Sequence, residues 1–176
     1  MLRLMLVRHA KSDWGDEGVH DHDRALNTSG WKAAATLGAH MHEHHLHPKL
    51  ILCSTALRTR QTLMEIMPYL RCDTRIQLLR DLYNSSEGDY IDAIRAYGGG
   101  FDTVLVIGHN TAIQDTALEL VGKGNPEYIA QIQSKYPTAT LTAIDFEEHR
   151  WSEIERQKGT IVSYYQPPHL QAVSGT

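Results

Sequence analysis

The sequence predicts an α/β protein, a three-layer α/β/α sandwich around a mainly parallel sheet. Three observations carry that expectation. Short apolar runs (Leu2 to Val7, Leu50 to Cys53, and "DTVLVI" at 102–107) alternate with longer stretches of helical character. The chain has 176 residues, enough for one ordinary domain with one substantial core. The three best apolar runs also stop abruptly at polar groups: "RH" (Arg8, His9), "CSTALR" (Cys53 to Arg58) and "GHN" (Gly108 to Asn110).

Taken in order, Leu2 to Val7 is a short, bounded apolar run and reads as a buried strand. "TSGWKAAATLGAHMHEHH" reads as a helix, with Asn27 or Thr28 able to cap its free amides. Leu50 to Cys53 is a second buried strand, and "TALRTRQTLMEIM" is a helix stopped by Pro68. Arg75 to Leu79 is a weaker strand, followed by the helix "SSEGDYIDAIRAYGGG", closed by its glycines. "DTVLVI" is a β-branched strand and "NTAIQDTALELVG" a helix closed by Gly122. "ATLTAIDF" alternates like a strand, Trp151 to Ile154 is expected to pair near it, and "GTIVSYY" supplies one more. Residues 1–165 are therefore read as one domain. Residues 166–176, with two prolines and little to bury, are read as a tail.

Composition narrows the function classes. Hydrophobic residues make up 41% and charged residues 22%, and the formal net charge of -4 argues against a nucleic-acid surface while permitting a local basic pocket. Two cysteines, Cys53 and Cys72, make no disulfide scaffold and fit a reducing compartment. No apolar stretch approaches the roughly 20 residues of a membrane span. "MLRLMLV" runs into Arg8 and His9 without a cleavage-like site, so a cytoplasmic monomer or small homo-oligomer is expected.

In an open parallel sheet, ligands bind beyond the carboxyl ends of the strands. The strand ends here would bring two arginines, two histidines and several hydroxyls to one edge, a pocket for an oxyanion. The guanidinium forks of Arg8 and Arg58 match pairs of phosphate oxygens and stay charged at any working pH. An imidazole nitrogen can attack phosphorus and hold the phosphoryl group, and a second imidazole can donate to its oxygens. His9 and His109 stand in the same register after their strands.

Two competing chemistries fit less well. A cysteine phosphatase loop needs five residues between thiolate and arginine, whereas four separate Cys53 from Arg58; a small buried thiol is expected instead. The run "HMHEHHLH" places His40 and His44 on one helix face, but Leu46 stands where a His-Glu-x-x-His zinc motif needs its second histidine. A solvated helix end, favoured by its free carbonyls, is expected there. The sequence signals no metal and no cofactor.

Together, "VRHAKSDW", "DRALNTSG", "CSTALRTRQT" and "VIGHN" resemble the histidine phosphatase superfamily, also called phosphoglycerate mutase-like. The short length and the "LYNSSEGDYIDAI" run are similar to its small SixA-like branch, whose best-known members remove phosphate from protein phosphohistidine. The resemblance implies a phosphoglycerate mutase-like sandwich and a metal-independent phosphohydrolase acting on a phosphorylated protein or small phosphorylated molecule. It implies His9 as nucleophile, with Arg8, Arg58 and His109 forming the phosphate pocket. Ser12 and Asn110 are implied at the rim. Independently of the resemblance, the place of Arg24 in "DHDRALN" leads us to expect that it pins its loop back to a carboxylate or reaches the pocket edge. Larger members place an acid between the second motif arginine and the second histidine. Here that segment, "LLRDLYNSSEGDY", offers Asp81, Glu87 and Asp89; Asp81 is chosen as proton donor, because it directly follows a strand, with Glu87 next. Two other readings share these residues: a broad small-molecule phosphomonoesterase and a non-catalytic phosphoryl-binding module. The loop between His9 and Thr28 is expected to form a rim, its acids Asp13, Asp16, Glu17, Asp21 and Asp23 repelling highly charged ligands.

Overall fold

A computed structural model describes residues 1–70 and 73–168. Cys72 and residues 169–176 of the expected tail lie outside the described residues. Seven strands form one mixed sheet in the order β3-β2-β4-β1-β6-β7-β5, accompanied by five α-helices. The strands are β1 (Leu2–Arg8), β2 (Leu50–Ser54), β3 (Arg75–Leu79), β4 (Thr103–Gly108), β5 (Val121–Gly124), β6 (Leu141–Phe146) and β7 (Gly159–Tyr165). The helices are α1 (Thr28–Glu43), α2 (Leu57–Ile66), α3 (Glu87–Tyr97), α4 (Ala112–Leu120) and α5 (Pro126–Ser134). Strands β1 to β4 pair in parallel with one another, and antiparallel β6 extends that block beside β1.

The strand alternation builds two cores. Leu4 and Leu6 of β1 face one way and pack with Leu52, Val104, Tyr90, Ile94 and Ile113, under α3 and α4. Met5 and Val7 face the other way and pack with Ile51, Leu105, Leu37 and Leu63, under α1 and α2. That is the three-layer sandwich. Burying an aliphatic side chain of this size is worth about 1.5–3 kcal/mol, so β1 is anchored through both faces before it reaches Arg8.

Local chemistry sets the helix ends. Asn27 caps α1, its side-chain oxygen accepting from the Gly30 amide at 2.8 Å. Ser86 and Asp89 form a capping box on α3. Pro68 falls in a 3-10 turn, Met67–Tyr69, that closes α2.

Three segments differ from the sequence reading. The helix expected to run to Gly122 ends at Leu120, and Val121–Gly124 pairs in parallel with β7 at the far edge of the sheet. Trp151–Glu153 is a 3-10 turn and not a strand. Trp151 is buried there, with Gly98 backed against its ring and its indole N–H donating to the Phe101 carbonyl. Helix α5, capped by Asn125 with Pro126 in its first turn, was not anticipated.

Candidate active site

Register puts the strand ends level. Arg8 lies opposite Gly108, and Cys53 opposite Ile107, across the adjacent strands β1, β4 and β2. His9, His109 and Ser54 therefore emerge side by side. The His9 amide continues the ladder by donating to the Gly108 carbonyl at 3.0 Å. The Ala10 amide donates to Thr62 Oγ1 at 3.0 Å, tying the turn after β1 to α2. The Tyr90 hydroxyl is wedged beneath His109: it accepts from the His109 amide at 3.0 Å and donates to the Leu82 carbonyl at 2.6 Å.

The two imidazoles stand with centroids 5.4 Å apart. His9 Nδ1 lies 2.6 Å from the Ala10 carbonyl, which can only accept. Nδ1 therefore carries the proton, and Nε2 keeps its lone pair. Burial, reinforced by the charges of Arg58, Arg8 and Arg24, pushes His9 down to about 3 against that hydrogen bond. Burial, followed by the proximity of His9 and the arginines, pushes His109 down to about 3 as well. Its Nε2 is 2.8 Å from Ser54 Oγ, while its Nδ1 is buried without a hydrogen-bond partner.

Arginines surround the pair. Arg8 donates through Nη1 to the Tyr136 carbonyl at 2.9 Å, and its buried Nε has no partner. Arg58 sits in the first turn of α2, only 7% exposed. It donates through Nη1 to the Asp21 carbonyl at 2.7 Å and through Nη2 to Asp21 Oδ2 at 3.1 Å. Arg24 donates to the Asp13 carbonyl at 2.9 Å, Asp21 Oδ1 at 2.8 Å and Ser12 Oγ at 2.9 Å, and its guanidinium lies 4.5 Å from the Trp14 ring centroid. Helix α2 begins at Leu57 and α4 at Ala112, each without a side-chain bond from its N-cap residue.

Arg8, His9, Ser12, Arg24, Arg58, His109 and Asn110 all line one cavity of about 300 Å³. Asn110 also bonds Gln114 through both ends of its amide. Asp81 and Glu87 are not brought there. β3 is the edge strand, three strand spacings or roughly 14 Å from β1. Asp81, in the 3-10 turn after it, lines a separate cavity of about 590 Å³ beside Tyr83, Asn84 and Ser85. Glu87 begins α3.

The acid that does approach is Asp21, which the sequence marked only as one loop acid among five. It lines the space between Arg58, Tyr83 and His109. A hydrogen bond from the Tyr83 hydroxyl at 2.7 Å, with those from Arg24 and Arg58, holds its carboxyl well below the usual range. Tyr83 itself was missed; it stands edge-on to His109, with centroids 5.5 Å apart. Asp21 and Arg24 at i,i+3 in "DHDR" carried a trace of this cluster, but their spacing alone does not say which way the pair faces. Cys53 is buried, and burial pushes its thiol up to about 12, which leaves no thiolate at neutral pH. His40 stacks between His44 and Tyr165, with centroids 4.0 Å and 3.5 Å away. Among the described residues, no three His, Cys, Asp or Glu side chains come together in a metal-holding group. No helix among them is long and apolar enough to cross a membrane.

The family model for the histidine phosphatase superfamily (branch 1) matches residues 4–96. An uncharacterised protein of Mycobacterium tuberculosis, Rv1276c, is 31% identical over 92% of this chain and 99% of its own length. The chain belongs to the histidine phosphatase superfamily. Its architecture is the phosphoglycerate mutase-like fold, and its class of enzyme is phosphatase. An uncharacterised protein of Mycobacterium leprae, ML1117, is 28% identical over the same 92%. Among solved structures, the candidate phosphohistidine phosphatase SixA of Agrobacterium tumefaciens superposes with a TM-score of 0.80 at 26% identity, covering 94% of this chain and 98% of its own. The corresponding candidate from Nakamurella multipartita superposes at 0.79 and 25% identity, covering 94% and 96%.

Proposed function

We propose that this phosphatase is metal-independent and works through a phosphohistidine on His9, with protein phosphohistidine as its substrate. One observation carries the reading: a buried, neutral imidazole whose proton is fixed on Nδ1 by the Ala10 carbonyl presents Nε2 beside three arginines. Nε2 attacks phosphorus, and the bond to the leaving nitrogen breaks, taking its electron pair and a proton. Water then attacks the phosphorus of phospho-His9, restoring the Nε2 lone pair and releasing phosphate. Arg8 and Arg58 bind the equatorial oxygens. His109, neutral before a dianion arrives, gains a proton beside one and donates to it.

Asp81 is proposed as an acid only for a leaving group that reaches past Tyr83 into the adjoining cavity. A phosphoramidate does not need it, since its nitrogen can take a proton from water. The similarity to candidate SixA phosphohistidine phosphatases supports the same substrate class.

The test is to react the protein with a labelled phosphodonor, quench in alkali, where phosphohistidine survives, and map the label. Label on His9, abolished together with turnover in His9→Ala, is expected. Turnover with no label on His9 overturns the mechanism. If His9→Ala keeps full partner function, a phosphoryl-binding module takes its place.

A further inference from the structure

The cavities that meet at Arg58 and His109 are lined by four cations, Arg8, Lys11, Arg24 and Arg58, and by one carboxylate, Asp21. That carboxylate does not lie idle at the rim. It accepts from Arg58 Nη2, Arg24 Nη1 and the Tyr83 hydroxyl at once, and its own carbonyl accepts from Arg58 Nη1. Both terminal nitrogens of Arg58 are therefore engaged by Asp21. Those nitrogens are the pair a guanidinium offers to two oxygens of a carboxylate or a phosphate alike. A phosphoryl group on the His9 side must share or displace Asp21 to take them.

We infer that Asp21 is a built-in competitor for the phosphate-binding guanidiniums, a residue that sets how tightly the site holds phosphate and how readily product leaves. The inference rests on the reading above that this cavity binds a phosphoryl group. The exchange leaves no orphaned group. When Arg58 turns to phosphate, Asp21 keeps Arg24 and Tyr83, and its side chain, 47% exposed, keeps water. Hydrogen bonds from these donors hold Asp21 ionised far into acid, so the competition persists across the working pH range. A site of four cations without this carboxylate would hold orthophosphate, the common product of every turnover, more tightly.

The sign of the effect separates competition from simple support. Orthophosphate binding is measured by calorimetry on the whole chain, alongside its inhibition of turnover. Asp21→Asn and Asp21→Ala should bind orthophosphate about five- to tenfold tighter and be inhibited at correspondingly lower concentrations. Asp21→Glu, which keeps the charge, should stay within about twofold of the unaltered protein. Weaker or unchanged binding in Asp21→Asn and Asp21→Ala, with melting temperatures preserved, overturns the inference and makes Asp21 a mere prop for Arg58. If those variants do not fold, Tyr83→Phe decides. Removing its hydrogen bond leaves Asp21 freer to hold the arginines, so phosphate should bind about twofold weaker. Unchanged or tighter binding there overturns the inference. If neither the unaltered protein nor any Asp21 variant binds orthophosphate, and Arg58→Ala changes nothing, the phosphoryl pocket itself is refuted, and the competitor with it.

Discussion

The site has two halves of unlike construction. Arg8, His9, Ser54 and His109 stand at the ends of three adjacent strands whose register and burial leave them little freedom. Asp21, Arg24 and Trp14 ride on the 11–27 loop, which has almost no core of its own. Arg24 ties it across itself to Ser12, and it is held down by His22 Nε2 to Thr55 Oγ1 at 2.9 Å and by Asp21 to Arg58. Trp14 is 83% exposed. The comparison teaches that one pocket can be positioned in two ways. Packing places the reacting groups, and exchangeable ion pairs place the groups that surround them.

The sharpest way to break that division is to remove one arginine from each half. Arg8→Ala should lower kcat/KM on the order of 10²–10³-fold, the scale for losing a fixed donor to a transferring oxyanion. Arg24→Ala should lower it about tenfold and speed proteolysis of the 11–27 loop, because its bonds are partly exposed and local. Equal losses in steady-state kinetics would erase the distinction between packed and ion-paired halves.

Packing can be tested without replacing a polar side chain. A Cβ on Gly108 would meet Tyr90 Cε2 at 2.7 Å, against a ring with no room to retreat and a hydroxyl that holds the His109 amide. Gly108→Ala should cost roughly 2–3 kcal/mol in denaturant unfolding. A loss of activity greater than the loss of folded protein is also expected. A neutral result would mean that the strand-end half yields as easily as the loop.

The pH dependence of stability reports on the same half. His9 and His109 are pushed down to about 3, so between that value and the ordinary 6.5 the unfolded chain binds protons that the folded one refuses. Their stabilising contribution is full above about 6.5 and is lost as pH falls towards 3, amounting to roughly 2 kcal/mol per ring by pH 5. Denaturation midpoints at pH 7 and pH 5 should differ accordingly, and the difference should shrink in His109→Gln. Identical midpoints would contradict the burial of the two rings.

The smallest effect belongs to the loop. With Asp21 turned onto the arginines, Asp13, Asp16, Glu17 and Asp23 remain to repel a highly charged ligand. A phosphorylated peptide should exceed ATP in kcat/KM, the gap narrowing as salt screens the acids. Comparable turnover of ATP at low salt would show that the loop acids do not act at the site.

What the residues alone determined was the scaffold and its business end. Apolar runs of strand length alternating with helices require a sheet covered on both sides, and the polar groups that end those runs must emerge together if the strands are neighbours. Both conclusions rest on local pattern, period and burial, which a sequence displays directly. The short edge strand Val121–Gly124 was hidden because "VGKG" has no alternation to show; its pairing is conferred by β7. Trp151 read as a strand residue because propensity cannot register the cavity beside Gly98 that its ring fills. Asp81 followed a strand as expected, but only the strand order showed that strand to be the edge. Asp21 and Tyr83, 62 residues apart in the chain, meet at 2.7 Å over Arg58. Long-range meetings of charged and hydroxyl groups depend on how loops fold back over a finished sheet, and that is decided by tertiary packing, because no local period encodes it.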